Sequence, residues 1–294
     1  MSRESASENP RNLQSRSVLA GQAAAAAAEV ENALAPEPDL KAAAFFDVDN
    51  TIMQGASIFH LARGLHRRKF FTTGDIVKGM WQQAYFRVAG VEDPEHIATA
   101  RAKGLSFIEG HTVEELEEVG EEIFDENMAH KIWPGTRAIA QGHLDQGQRV
   151  WLVTAAPVEI ANTIARRLGL TGALGTVSEH IDGVYTGQLV GDMLHGEGKA
   201  VAVAAIAERE GLDLSRCYAY SDSHNDLPML TLVGHPCAVN PDKKLRSHAK
   251  AQGWQIRDYR TGRKVAVAGS KAAVAAGTAG GAWKVIQVIR RKIR

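Results

Sequence analysis

The chain of 294 residues has few cysteines, no excess of either charge and no signal-peptide pattern. Its two cysteines, Cys217 and Cys237, lie far from any second pair of metal ligands, which indicates a reduced, cytoplasmic compartment. Lys and Arg number 34 and so do Asp and Glu, so no overall attraction to nucleic acid is expected. No Leu, Ile or Val-rich segment follows the early charges, which argues against a signal peptide.

The two ends of the chain differ in composition from its middle. Residues 1–40 mix Ser, Asn, Arg and Glu with an alanine run at 23–28, which predicts a mostly disordered leader. Residues 261–294 are rich in Ala and Gly and end in a basic cluster at 290–294. We expect a flexible or packed tail there, or weak contact with an anionic membrane surface. Lys271 and the many glycines argue against a spanning helix.

The most informative stretch is an apolar strand that ends in two carboxylates, Asp47 and Asp49. At the carboxyl end of a strand the chain turns, so Asp47 can face a crevice while Asp49 follows on the loop. One carboxylate can then attack a substrate and the other can move protons. On its own, the pattern also fits an ordinary polar turn after a strand.

A second apolar strand, Val150–Val153, is predicted to end at Thr154, with Pro157 in the first turn of the next helix. A hydroxyl at such a position can bind a phosphate oxygen together with free backbone amides, including that of Ala155. The alternative is that Thr154 only caps the helix.

A glycine-flanked lysine, Lys199, opens an alanine-rich helix. Its ammonium group can neutralise phosphate charge and keep a nucleophilic carboxylate ionised. The alternative is a solvated lysine, as at most helix starts.

A third strand leads into the loop that contains Asp222, His224, Asn225 and Asp226. Asp222 can complete an oxygen-rich site for a hard cation, with Asp226 behind it. Asn225 can donate to phosphate or to the nucleophile. No second histidine lies at ligand spacing from His224, which we interpret as a residue of the loop or the pocket wall.

Residues 53–133 have the periodicity of about four helices. One is indicated by the apolar spacing from Ile76 to Tyr85, another by Asp93-Pro94, and a third by the capping box of Thr112 and Glu115. Helices inserted directly after the first strand would form a cap that closes over the site and excludes water.

Helices and strands alternate from Trp133 onward, with a helix at 158–168 and a hairpin turn at Asp182-Gly183. This alternation predicts an α/β fold: a doubly wound parallel sheet over 41–52 and 134–260, with the helical cap inserted after the first strand. All four polar motifs would then meet at the carboxyl edge of the sheet.

In this order, the four motifs resemble those of the haloacid dehalogenase superfamily of aspartate-dependent phosphohydrolases. That family has the pattern DxDx(T/V), a strand ending in Ser or Thr, a distant Lys, and an acidic DxxxD motif. The resemblance covers residues 42 to 257. Within the superfamily, the chain more specifically resembles the phosphoserine phosphatase branch, the related hydrolases of subfamily IB, and mycobacterial members of that group. It implies a small phosphorylated substrate, a function in serine biosynthesis and no nucleic-acid partner.

The resemblance also implies roles for individual residues. Asp47 would attack phosphorus to give an aspartyl phosphate, and Asp49 would protonate the leaving group and then activate water. Mg²⁺ would bind Asp47, Asp222 and the backbone carbonyl of Asp49. The phosphoryl oxygens would be held by Thr154, Ala155, Lys199 and Asn225, and Asp226 would support the metal site from behind.

Other functions stay open. Carbon–halogen hydrolases of this fold typically lack the second aspartate, so Asp49 and Asp222 argue against that reaction, and intact acids argue against an inactive binding module. A phosphomutase uses the same acids. Phosphoserine phosphatases have a Glu about nine residues after the nucleophile, where this chain has Ala56. Another small or lipid-derived phosphate monoester is therefore the alternative substrate.

Overall fold

The computed structural model describes residues 17–25, 38–70 and 108–260. The chain divides into a unit from Met1 to Asp39 and a unit from Leu40 to Arg294. In the first unit, residues 17–25 form an exposed helix, although the sequence predicted a mostly disordered leader. Among the described residues, no helix has the length and apolar character needed to cross a membrane. The tail 261–294, with its predicted membrane contact, lies outside the described residues.

A six-stranded parallel sheet forms the centre of the second unit, with the strand order β3-β2-β1-β6-β7-β8. Its strands are β1 Ala43–Asp47, β2 Arg149–Pro157, β3 Gly172–Thr176, β6 Tyr218–Ser221, β7 His235–Val239 and β8 Gln255–Arg257. A separate antiparallel hairpin is formed by β4 Ser178–Ile181 and β5 Val184–Leu189. The predicted α/β doubly wound parallel sheet is confirmed.

The described helices of this unit are α1 Ser57–Arg67, α2 Val113–Ile123, α3 Pro134–Asp145, α4 Val158–Leu168, α5 Glu197–Glu210, α6 Leu227–Leu232 and α7 Lys243–Ala251. A π-helical turn, Phe124–Met128, continues α2, and short 3₁₀ turns include Ala129–Lys131, Leu214–Arg216 and His224–Asp226. Both α1 and α2 lie between β1 and β2, within the predicted cap 53–133. The predicted helices at Ile76–Tyr85 and Asp93-Pro94 lie outside the described residues.

Strand β1 is buried on both faces and divides the core into two apolar clusters. Phe46 packs in the cluster that contains Ile160 of α4, whereas Phe45 packs with Val203 of α5 and Leu245 of α7. Side chains alternate between the faces of a strand, so helices cover both sides of the sheet. Burying one such apolar side chain contributes roughly 1.5–3 kcal/mol.

The local predictions for the hairpin and for α2 agree with the structure. Asp182 and Gly183 both have positive φ, at 50° and 79°, as a two-residue hairpin turn of type I′ requires. The side chains of Thr112 and Glu115 each accept a hydrogen bond from the other residue's backbone N–H, at 3.1 Å, which completes the capping box. The Tyr185 N–H donates to the carbonyl of His111 at 3.0 Å, which joins β5 to the start of α2.

The prediction that the second strand ends at Thr154 is wrong, because β2 continues to Pro157. A proline disfavours helical geometry in the residue before it, so Ala156 stays extended and the strand is prolonged. Pro157 is the N-cap of α4 and does not lie in its first turn. The β2–β3 register shifts between Val153 and Pro157, so the lengthened strand is irregular.

Candidate active site

The carboxylate of Asp47 lies at the carboxyl end of β1 and is only 5% exposed. Its Oδ1 accepts a hydrogen bond from Lys199 Nζ at 2.7 Å, and its Oδ2 accepts one from Thr51 Oγ1 at 3.0 Å. Burial raises the pKa of Asp47 to about 6, and the positive charge of Lys199 opposes that rise. The contact with Lys199 therefore favours the ionised form, which a nucleophilic carboxylate needs.

Lys199 bridges two buried carboxylates, because its Nζ also donates to Asp226 Oδ2 at 2.8 Å. Burial disfavours the Lys199 ammonium, but the charges of Asp47 and Asp226 outweigh burial and raise its pKa. Lys199 is in the first turn of α5, after Gly196, whose φ of 55° is accessible chiefly to glycine. The Ser221 hydroxyl also donates to Asp226 Oδ2, at 2.7 Å.

Asp222 directly follows β6 and is affected by the charges of Asp47, Asp226 and Lys199. Burial, followed by the charges of Asp47 and Asp226, raises the pKa of Asp222 to about 7. Within 38–70 and 108–260, no donor forms a hydrogen bond with its carboxylate. The Lys199 ammonium is already shared by the other two acids, so this part of the site has more negative charge than the described residues neutralise.

This charge balance and the oxygen-only set of ligands fit a hard cation such as Mg²⁺. The described part of the chain has no cluster of three or more His, Cys, Asp or Glu side chains arranged to hold a metal ion. The predicted magnesium ligands include only two side chains, the carboxylates of Asp47 and Asp222, together with the backbone carbonyl oxygen of Asp49. Mg²⁺ usually keeps several waters and needs only one or two carboxylates, so such a set is sufficient.

Asp49 contacts the first residue of α1. Its Oδ1 accepts hydrogen bonds from the Ser57 N–H at 2.8 Å and from the Ser57 hydroxyl at 2.6 Å. Ser57 is fully buried, while Asp49 is partly exposed. A carboxylate at a helix N-terminus is stabilised by the free N–H groups there. The predicted acid–base residue is therefore anchored at the start of the first described helix after β1.

The four predicted phosphate-binding residues differ in their exposure and in their hydrogen bonds. Thr154 is 1% exposed, and its hydroxyl accepts from the Ala156 N–H at 3.1 Å. The Ala155 carbonyl accepts from Thr176 Oγ1 at 2.7 Å. Asn225 is exposed, and its backbone N–H donates to Ser223 Oγ at 3.2 Å. Among the predicted phosphate-binding residues, Lys199 alone forms a hydrogen bond with Asp47 within residues 38–70 and 108–260.

Several polar residues at the site were not predicted from the sequence: Ser57, Ser221, Asn240 and Asp242. Ser57 and Ser221 contact the predicted acids directly. Asn240 and Asp242 follow β7, next to β6 in the sheet. The rule that located the other motifs, polar residues directly after an apolar strand, would also have located Asn240 and Asp242.

The sequence pattern of the haloacid dehalogenase-like hydrolases matches residues 44–231. The chain belongs to this family. It is 58% identical over 247 residues to a phosphoserine phosphatase of Mycobacterium tuberculosis, covering 84% of this chain and 80% of that protein. A protein of Mycobacterium leprae that is named a putative hydrolase is 57% identical over 246 residues, which cover 83% of this chain and 82% of that protein.

A solved structure of a Bordetella pertussis protein of unknown function has a similar fold, with a TM-score of 0.65 and 31% sequence identity. The match covers 74% of this chain and 98% of that one. Family membership and the named relatives identify the chain as an enzyme, a phosphatase of the haloacid dehalogenase-like family.

Ser57→Ala tests whether the contact with Asp49 matters for proton transfer. A hydrogen bond to a charged group contributes about 1.5–3 kcal/mol, so we expect kcat to fall by roughly 10- to 100-fold with an alkyl phosphate. An aryl phosphate has a leaving group that needs little protonation, so its kcat should fall less. Steady-state kinetics with both substrates measures this, and Ser57→Thr, which keeps the hydroxyl, is the control. Unchanged kcat with the alkyl phosphate in a folded Ser57→Ala enzyme would contradict the role.

Proposed function

We propose that the enzyme hydrolyses phosphate monoesters through a phosphorylated Asp47, with Mg²⁺ as its cofactor. The observation that carries this proposal is the contact of Lys199 with Asp47. It holds a buried carboxylate ionised at the carboxyl edge of the sheet, where open α/β sheets bind their ligands. Bound Mg²⁺ would neutralise charge on the phosphoryl oxygens.

In the first step, a carboxylate oxygen of Asp47 forms a bond to phosphorus as the ester P–O bond breaks. Asp49 gives its proton to the departing alkoxide. In the second step Asp49 takes a proton from water, the water oxygen bonds to phosphorus, and the bond from phosphorus to Asp47 breaks. Inorganic phosphate leaves and both aspartates return to their starting state.

The remaining polar groups would hold the phosphoryl group during both steps. Lys199 would share its ammonium between Asp47 and a phosphoryl oxygen, and the Asn225 amide and the Ala155 N–H would donate to others. The Thr154 hydroxyl accepts from a backbone N–H and keeps its own proton for donation to phosphate. Asp226 supports this arrangement by holding Lys199 in place.

The substrate is proposed from the names of the relatives and from position 56. A relative with 58% identity is named a phosphoserine phosphatase, which makes phosphoserine one candidate. Ala56 is the N-cap of α1 and directly precedes Ser57, so its position adjoins the predicted acid–base residue Asp49. An alanine offers no charge to a substrate ammonium. Other small or lipid-derived phosphate monoesters are therefore equally candidates.

Asp47→Asn should abolish hydrolysis of an aryl phosphate, because a neutral amide does not attack phosphorus. Asp49→Asn should slow turnover by about 10² to 10⁴, the usual contribution of a general acid or base. Asp182→Asn is a matched control at an exposed turn and should retain full activity. Steady-state assays and thermal unfolding of each variant measure these effects. Near wild-type turnover by a folded Asp47→Asn enzyme would overturn the mechanism.

Removal of divalent cations by a chelator should stop the reaction, and Mg²⁺ should restore it. Asp222→Ala should raise the Mg²⁺ concentration needed for half-maximal activity, since hard cations depend on few anionic ligands. Asp192→Ala, at an exposed position, is the control. Activity and calorimetric titrations with Mg²⁺ provide two independent readouts. Unchanged Mg²⁺ dependence in Asp222→Ala would refute the assignment of that ligand.

Phosphoserine should be hydrolysed no better than a phosphate monoester of similar size without an amino group, such as phosphoethanol. Ala56→Glu should raise kcat/KM selectively for phosphoserine, by up to about a hundredfold, because a partly buried ammonium gains a counter-ion. Ala56→Gln, which has the same size and no charge, should not. A strong wild-type preference for phosphoserine would show that another acid binds the ammonium group.

A further inference from the structure

The loop after β7, Asn240 to Asp242, contacts two loops of the site although no step of the reaction uses it. The first is the nucleophile loop, Asp47–Thr51, and the second is the acid loop, Asp222–Asp226. Strand β6 lies between β1 and β7 in the sheet. The β7 loop therefore reaches past the end of the intervening strand to touch the loop that follows β1.

Asn240 makes the contact with the nucleophile loop. Its Nδ2 donates to the Asn50 carbonyl at 2.9 Å, and its Oδ1 accepts from the Tyr259 N–H at 2.8 Å. Its own N–H donates to the Arg257 carbonyl at 2.7 Å, and the residue has no exposed surface. The side chain thus uses a donor and an acceptor at once, which an amide provides and a carboxylate does not.

The backbone geometry at both ends of this contact is unusual. Asn240 has φ of 49° and Asn50 has φ of 57°, a left-handed conformation that asparagine tolerates better than most residues. Asn50 directly follows Asp49, whose carbonyl is a proposed magnesium ligand. The hydrogen bond to the Asn50 carbonyl therefore fixes the peptide unit next to that ligand.

Asp242 makes the contact with the acid loop. Its N–H donates to the Asp222 carbonyl at 2.8 Å, and its Oδ2 accepts from the His224 N–H at 2.9 Å. Its Oδ1 accepts from the Leu245 N–H at 2.7 Å, which caps α7 and fixes the residue to a helix. One short loop is thereby hydrogen-bonded to the backbone of both loops that contain the proposed metal ligands.

We propose that the Asn240–Asp242 loop is a positioning element that sets the separation of Asp47 and Asp222, with Asn240 as its main positioning residue. The inference rests on the proposed function and goes beyond it. Misplacement of a reacting group by 1 Å can lower a rate by about 10²-fold. Loss of the Asn240 contact should therefore reduce kcat and weaken Mg²⁺ binding, with a smaller effect on the KM of the substrate.

The test is Asn240→Asp, which keeps the size and the acceptor for Tyr259 but removes the donor to Asn50. Thr171→Val is the control for loss of a single hydrogen bond, because it removes the one that Thr171 Oγ1 accepts from the Val150 N–H, away from the site. We expect a fall in kcat of about 10²-fold and weaker Mg²⁺ binding for Asn240→Asp only. Calorimetric titration of substrate-free protein measures Mg²⁺ binding, and thermal unfolding compares stability.

The proposal would be overturned if Asn240→Asp lost stability as Thr171→Val does but kept wild-type kcat and Mg²⁺ affinity. Asn240 would then have a structural role only. If Asn240→Asp does not fold, Asp242→Ala replaces it as the test, with weaker Mg²⁺ binding as the expected result and wild-type binding as the contradiction. Activity in Asp47→Asn would instead refute the proposed function, so the two failures are distinguishable.

Discussion

The buried contact of one ammonium with two carboxylates is the constraint on which the rest of the site depends. Lys199 lies between Asp47 and Asp226, and all three side chains are almost completely buried. Two buried negative charges and one positive charge are unfavourable without further compensation, and removing one partner of such a pair typically costs about 3–5 kcal/mol. The arrangement is therefore better explained by a role in the proposed reaction than by a contribution to the folding stability of the protein. The contact with Lys199 favours the ionised form of Asp47 at the strand end, as the proposed attack on phosphorus requires.

The site joins two parts of the chain that differ in exposure. Asp47 is buried at the carboxyl edge of the sheet, whereas Asp49 is partly exposed and hydrogen-bonded to the first residue of α1. The proposed nucleophile is thus fixed by the core, and the proposed acid–base residue lies where the chain leaves the core for the region predicted to be the cap. In the proposed mechanism, such a separation would let the predicted cap affect proton transfer at Asp49 without moving Asp47.

Sequence reasoning succeeded at most of the places where the signal is local. The apolar strand before Asp47, the helix Val158–Leu168, the hairpin turn at Asp182-Gly183 and the capping box at Thr112 all follow from neighbouring residues. It failed at Thr154, because the effect of a proline on the preceding residue prolonged the strand. The contacts of Asn240 join residues far apart in sequence, and no local pattern reports which loop a buried amide will reach.

The central claim is that a covalent bond forms between phosphorus and Asp47. The direct measurement is mass spectrometry of enzyme that is mixed with a phosphate monoester and Mg²⁺, acid-quenched within one turnover, and digested. The account predicts the mass of one added phosphoryl group on the peptide that contains Asp47, and this added mass should disappear once the substrate is consumed. Borohydride reduction of the phosphorylated enzyme should convert Asp47 into homoserine. A phosphoryl group on another residue, or none during active turnover with wild-type enzyme, would contradict it.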